Sequence, residues 1–415
     1  MNKKLLYVSP FNLHDTSSGA ALQVRTMLES LVKRGIEVKV LSSFIFDSPR
    51  GTTYFGNLEE EIKNGVNSPA IINDNGIEYR YLVCQSRDLN LMTYKELWDF
   101  FQYFTMMCNT YRPDVAMGYC VGTIGMVIQA ESKKRGIPFV YPLCNANHPN
   151  FEFWDCDLIF TESKATANLY GIRDRLNVCS TGIFIDKDKC VTQERDPQYI
   201  TFINPSPSKG VTIFAKIAEV CKKELPDLKF LVIDTRVSFL EALPLMHLSS
   251  NKEKFPYKPQ QFSNVDFMQA TNNMKEVYKR TKLLLAPSIA YESWGRVISE
   301  AVLNKVPCVI SGGNGGMEEA MAGAGIALPV PEACKEDYLR IPTNEEIKPW
   351  ITAIKKALKS DFSKEFKEAE KQLDIEISTD RLLELLEPLF MRKASNNPHI
   401  IHNGSLRMGA DGNYR

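Results

Sequence analysis

In the stretch YESWGRVISE, residues 291–300, Glu292 and Glu300 bracket a Trp-Gly-Arg step and the start of an apolar run. Pro287 and Ser288 close the strand pattern LLLAPS, so Glu292 falls in the loop at that strand's carboxyl edge, where open α/β sheets bind ligands. Val297, Ile298, Ala301 and Val302 have helical spacing and put Glu300 beside the buried face of the next helix. Eight helical residues would rise about 12 Å, comparable with the span from a sugar across a diphosphate to a ribose. A carboxylate at each end can accept from vicinal hydroxyls. Between them, the amides of Gly295, Arg296 and Val297 would open the helix and attract an anion. The pair taken alone has a plainer reading, in which Glu292 caps the helix and Glu300 is solvated.

Three other stretches place polar or glycine-rich loops after strand patterns. PCVISGGNGGMEE, residues 307–319, reads as strand, loop and helix start, and its glycines let backbone approach a ligand closely. INPSPSKG, residues 203–210, sets Asn204, Lys209 and Gly210 after the strand YITFI; Lys209 is a candidate phosphate cation or a surface charge. Near the start, SSGAALQVRTMLESLVKRG puts Gly19 at a helix opening, either to bring N–H groups to a ligand or after a cap by Ser17 or Ser18.

These loops need sheets to hold them. LLYVS, a loop, a helix with Val24, Met27, Leu28, Leu31 and Val32 on one face, Gly35, then IEVKVLS is the signature of a parallel sheet. GIEYRYLVC, DVAMGY, IPFVYPL, DLIFTES and RLNVCST extend that series, with TYKELWDFFQYFTMMCNTY as an intervening helix. A second series runs from YITFI through LKFLVID, LLLAPS and VPCVIS, nearly free of polar residues, as strands covered on both faces are. Residues 240–262 read as an insertion or mobile loop. Two doubly wound series imply an α/β protein of two Rossmann-like domains. The boundaries expected are 1–190 for the first domain, 191–375 for the second, a C-terminal helix over 376–394 packing back on the first, and a disordered tail over 395–415.

Composition narrows the function classes. Fifty Lys plus Arg balance fifty Asp plus Glu over 415 residues, so no global charge draws the chain to nucleic acid. The ten cysteines contain no C-x-x-C pair, which argues against a structural zinc site or a disulfide framework. The N-terminal apolar run stops at Pro10, too short for a signal peptide, and no stretch reaches membrane-span length. A soluble cytoplasmic protein is expected.

PSIAYESWGRVISEAVLNKVPCVISGGNGGMEE resembles the donor site of family 4 glycosyltransferases, retaining enzymes of the GT-B fold, which carry Glu-x7-Glu with an aromatic-Gly step, then Gly-x-Pro-x-V and GG-x-x-E. Lys305 stands here for the usual Gly, while Gly315, Gly316 and Glu319 supply the last element. The loop INPSPSKG is similar to the family's Arg-x4-Lys-Gly element, with Asn204 in place of Arg and an NP-x-P-x-KG pattern of a subgroup. The resemblance implies that Glu292 contacts the donor sugar, Glu300 the ribose and Lys209 the diphosphate. Gly19, Asn204, Gly210, Trp294, Gly295, Arg296 and Val297 would complete the donor site. Phosphate neutralisation would then rest on Lys209, Arg296 or helix termini. The family's histidine after the strand IPFVYPL aligns with Cys144 or Asn145, and Met117 and Tyr119 stand where other histidines occur. His148 either supplies the missing imidazole as a catalytic residue or is a surface loop residue, and His14 is a second candidate. Implied too are a UDP- or GDP-linked sugar as co-substrate, no further cofactor, no metal, and a glycan, lipid-linked or small-molecule acceptor. Transfer would be a same-face displacement in which the departing diphosphate accepts the acceptor's proton. The missing histidines leave a second reading: a catalytically silent GT-B protein acting as a nucleotide-sugar sensor or as partner of an active transferase. An epimerase or phosphorylase finds no supporting lysine context.

Overall fold

A computed structural model describes residues 3–63 and 68–392; the tail expected over 395–415 lies outside the described residues. Eight strands form the first sheet: β1 (Lys4–Val8), β2 (Glu37–Ser43), β3 (Ala70–Asp74), β4 (Ile77–Leu82), β5 (Val115–Met117), β6 (Phe139–Pro142), β7 (Leu158–Thr161) and β8 (Val178–Ser180). Their order is β3-β4-β2-β1-β5-β6-β7-β8. All neighbours pair in parallel except β3 with β4. The central strands are apolar on both faces because helices cover both sides: Leu5 and Tyr7 point into one core, Leu6 and Val8 into another.

Eight more strands follow: β9 (Tyr199–Ile203), β10 (Lys229–Asp234), β11 (His247–Leu248), β12 (Val265–Gln269), β13 (Thr281–Ala286), β14 (Cys308–Ser311), β15 (Gly325–Leu328) and β16 (Arg340–Ile341). Six make a second, wholly parallel sheet in the order β12-β10-β9-β13-β14-β15, while β11 and β16 pair separately. Both sheets are doubly wound α/β.

Residues 240–262 are not a loose insertion. Leu243, Met246, Tyr257 and Phe262 are buried in the second sheet's core beside Phe239. Short helical turns at Phe239–Ala242, Leu243–Leu245 and Pro259–Phe262 hold them there. The segment has no helical or strand period because it follows the core surface in turns.

The last described helix, Ile375–Met391, returns to the first sheet. Its Leu382, Leu386 and Leu389 belong to the same buried cluster as Leu5, Val24 and Leu28. Ion pairs from Lys3 to Glu387 and from Arg34 to Glu376 and Asp380 flank the contact.

Candidate functional site at the carboxyl edges of both sheets

A cleft of about 800 Å³ lies between the two sheets. Its first wall comes from loops after β1, β2, β6 and β7, including Ser17, Gly19, Asp47, Arg50, Asn145 and Glu162. The second comes from loops after β9, β10, β12 and β13, including Asn204, Lys209, Arg236, Glu292, Gly295 and Arg296. Strand carboxyl edges thus face each other, the placement at which parallel sheets bind ligands.

Two loops of the second wall are stitched to each other and to the glycine-rich loop after β14. The Ser208 carbonyl accepts from the amides of Ile289 and Ala290 at 2.9 and 3.0 Å. The Asn314 amide donates to the carbonyls of Ser288 and Ala290 at 3.0 and 2.7 Å. Glycine is demanded at two points. Gly210 has φ +82°, and a β-carbon there would sit 2.0 Å from the Pro287 carbonyl oxygen. Gly315 has φ +86°, and a β-carbon would meet the Glu292 carbonyl oxygen at the same distance. Only a residue without a side chain allows both approaches.

This scaffold joins the Lys209 ammonium directly to the Glu292 carboxylate. Glu292 therefore does not cap the helix Arg296–Leu303, whose first turn has no side-chain cap. Gly295, Arg296, Val297 and Ile298 line the cleft at that helix opening. Its leading N–H groups need partners from outside the helix. Trp294 lines the cleft too, and its indole N–H donates to Ser299 Oγ at 2.8 Å.

Glu300 is not solvated: it is 4% exposed and lies behind the wall. Arg296 Nε donates to its Oε1 at 2.7 Å and the Tyr278 hydroxyl to its Oε2 at 2.9 Å. Each carboxylate oxygen keeps a second lone pair. Arg296 also reaches across the cleft to the Phe184 carbonyl at 2.9 Å and to Gln23 Oε1 at 3.4 Å. Asn204 lines the cleft with φ +65°, and its Oδ1 is buried without a partner. Gly210 stands behind the wall, starting the helix Val211–Glu224. Gly19 lines the cleft and opens the helix Gly19–Lys33, which Ser18 caps through the Ala21 amide at 3.3 Å.

Neither histidine lines the cleft. His148 is not a surface residue: it is 6% exposed, with Nδ1 2.6 Å from Glu152 and Nε2 3.0 Å from the Tyr119 hydroxyl. Burial lowers its pKa, opposed by Glu152. His14 is buried, stacked on Tyr54 and edge-on to Tyr79, and burial lowers its pKa to about 4. Cys144 and Asn145 do line the cleft, and burial drives the Cys144 thiol pKa up, keeping the thiol neutral.

Several cleft residues carried no sequence signal. Arg236 pairs with Asp47 at 2.6 Å and donates to the Ser17 carbonyl at 3.0 Å, while Arg50 donates to the Thr235 carbonyl at 2.9 Å. These bonds join the walls. Glu162, just after β7, is likewise on the wall, and burial pushes its carboxyl up to about 7. A search of strand carboxyl edges for charged residues would have flagged it. Glu319 of the GG-x-x-E element accepts from the Ala165 and Lys164 amides at 2.8 and 3.0 Å, capping the helix Lys164–Asp174 across the interface. Among the described residues, no cluster of three or more His, Cys, Asp and Glu could hold a metal ion. No described helix is long and apolar enough to cross a membrane.

Residues 184–367 match the family model described as Glycosyl transferases group 1. The structure is similar to that of a glycosyltransferase from Rickettsia africae, with TM-score 0.65 and 11% identity over 95% of this chain and 100% of that one. It is also similar to Anabaena HepE in complex with UDP-glucose, with TM-score 0.62 and 15% identity over 93% and 99%. The pneumococcal O-GlcNAc transferase GtfA in complex with UDP and GlcNAc gives TM-score 0.63 and 11% identity over 94% and 100%. No curated protein is a significant sequence match. The architecture is GT-B, two Rossmann-like units facing across a cleft, with a group 1 glycosyl transferase match over the part that carries Lys209, Glu292 and Glu300.

Proposed function

We propose that this chain is a retaining, metal-independent glycosyltransferase of family 4 that moves a sugar from a UDP- or GDP-linked donor to a hydroxylated acceptor. The observation that carries this reading is the Lys209–Glu292 contact on the second wall, beside the uncapped opening of the helix Arg296–Leu303. A donor diphosphate takes Lys209 and the helix N–H groups as its cation and its dipole partner. Lys209 then exchanges its carboxylate partner for phosphate, and Glu292 turns to the sugar hydroxyls. Arg296 can make the same exchange, which frees an oxygen of Glu300 for the ribose. Asn204, Trp294, Gly295, Val297 and Gly19 shape the pocket, and Gly210 sets the position of Lys209. Residues 1–190 form the acceptor-side domain and 191–375 the donor domain, with the helix Ile375–Met391 tying back to the first. Transfer is a same-face displacement: the acceptor oxygen bonds to the anomeric carbon as the bond to diphosphate breaks. The acceptor's proton passes to the departing phosphate oxygen. The protein's part is positioning and charge stabilisation.

The test is thermal stabilisation by UDP-, GDP- and ADP-linked sugars at millimolar concentration, for wild type and Glu300→Ala. One nucleotide class should raise the melting temperature of wild type, and the shift should shrink in the variant. No stabilisation by any of them would remove the donor site. A second reading, a silent nucleotide-sugar sensor, is favoured by the absence of His14 and His148 from the cleft wall. Protection without nucleotide release in the presence of acceptors would select it.

A further inference from the structure

The charged side chains lining the cleft are Asp47, Arg50, Glu162, Lys209, Arg236, Glu292 and Arg296. Lys209 meets Glu292, Arg236 meets Asp47, Arg296 meets Glu300, and Arg50 donates to the Thr235 carbonyl. Glu162 alone among them has neither an ion-pair partner nor a hydrogen bond to another element for its charged group. Its carboxyl meets its own backbone N–H and the adjacent Thr161 hydroxyl, 3.2 Å from Oε2.

Its backbone is fixed from both sides. The Gly182 amide donates to the Glu162 carbonyl at 3.0 Å, and the next residue, Ser163, caps a helix through the Thr166 amide at 3.0 Å. In the same first turn, Glu319 of the opposite unit accepts from the Lys164 and Ala165 amides. Glu162 therefore stands on a rigid edge of the first wall, near Cys144 and Asn145 and across from Lys209 and Glu292. A buried carboxyl without a cation costs folding free energy. Held on a cleft wall, it marks a group that meets a ligand.

We propose that Glu162 is an acceptor-binding residue, taking a hydroxyl of a sugar or polyol acceptor on the first wall. A carboxylate accepts from such a hydroxyl, and a carboxylic acid donates to it, so either form can hold the same group. The inference rests on the proposed function, because it assigns the second wall to the donor.

The experiment uses the full chain, with Glu162→Gln and Glu162→Ala. Donor binding is read as the melting-temperature shift with UDP-glucose, GDP-mannose and ADP-glucose. Acceptor use is read as nucleotide release with free monosaccharides, inositol, amino sugars and nitrophenyl glycosides. Both variants should keep the donor-induced shift of wild type. Glu162→Ala should raise the acceptor KM roughly 10- to 100-fold, the effect of one charge-assisted hydrogen bond, with the donor KM unchanged. Glu162→Gln should fall between. An unchanged acceptor KM in both variants overturns the inference and leaves the donor reading standing. Loss of the donor shift in both variants reassigns Glu162 to the donor, and an effect confined to amino sugars makes its ligand an ammonium; either overturns it. If no nucleotide sugar shifts wild type, the donor reading fails first and takes this inference with it. Donor protection with no release under any condition also overturns it, since no acceptor is then bound productively.

Discussion

Lys209 and Glu292 satisfy each other on the second wall of the cleft, and Arg296 and Glu300 do the same behind it. Each cation then has a partner before any ligand arrives, so an incoming anion exchanges partners instead of neutralising an isolated charge. Glu162 has no such exchange available, and its ionisation bears on stability. Burial raises its pKa from 4.5 to about 7. Between those values the native state binds a proton that the unfolded chain has released, so stability falls as pH rises through this window. The faces toward it carry Cys144, whose thiol stays neutral, and Asp47, paired with Arg236. Glu162→Gln removes the loss, so the variant should gain in melting temperature over wild type as pH rises from about 4.5 to about 7. Circular-dichroism melts at both ends of the window check this, and parallel curves for the two proteins would refute it.

At the scale of elements, the site depends on loops that touch through backbone. Gly210→Ala would drive a β-carbon toward the Pro287 carbonyl at a positive φ, which costs about 1–3 kcal/mol or more. A lower denaturant midpoint with weaker nucleotide-sugar protection is expected, since the loop carrying Lys209 would move off the loop carrying Glu292. Wild-type stability in that variant would show that the close approach is dispensable. The same elements show what sequence can announce. The apolar runs of β1, β9, β10, β13 and β14 are legible because burial on both faces demands them. β3, β12 and β15 are all edge strands. One side of each is unpaired, and β12 exposes most of its side chains, so no continuous apolar run marks it; β15 is apolar but only four residues long. The placement of Lys209 and Glu292 after strand carboxyl edges, and of Glu300 beside a buried helix face, was legible from spacing. The Tyr278 bond to Glu300, and the isolation of Glu162, depend on segments distant in sequence.

At the scale of the molecule, bonds from both units cross the cleft: Arg236 to Asp47, Arg50 to Thr235, Arg296 to Phe184, and Glu319 to the helix Lys164–Asp174. The last is a helix cap supplied by the opposite unit, so its loss should act on both halves. Glu319→Ala should destabilise the chain by about 1 kcal/mol, the usual effect of losing a cap. It should also speed amide exchange at Lys164 and Ala165 and raise the donor KM. Hydrogen-exchange mass spectrometry reads the amides directly. Unchanged protection there would show that water replaces the carboxylate without consequence.

The return of the helix Ile375–Met391 sets a condition on how the chain is made. The first sheet is complete by Ser180, yet Leu382, Leu386 and Leu389 of its core are translated last among the described elements. Each buried leucine contributes about 1.5–3 kcal/mol. That total is comparable with much of a domain's net stability. During synthesis the N-terminal unit therefore waits with an open apolar seam until the second unit has left the ribosome. A stop codon that removes only this helix would leave a product with all the cleft residues and an unfinished first core, a substrate for proteolysis rather than a smaller stable protein.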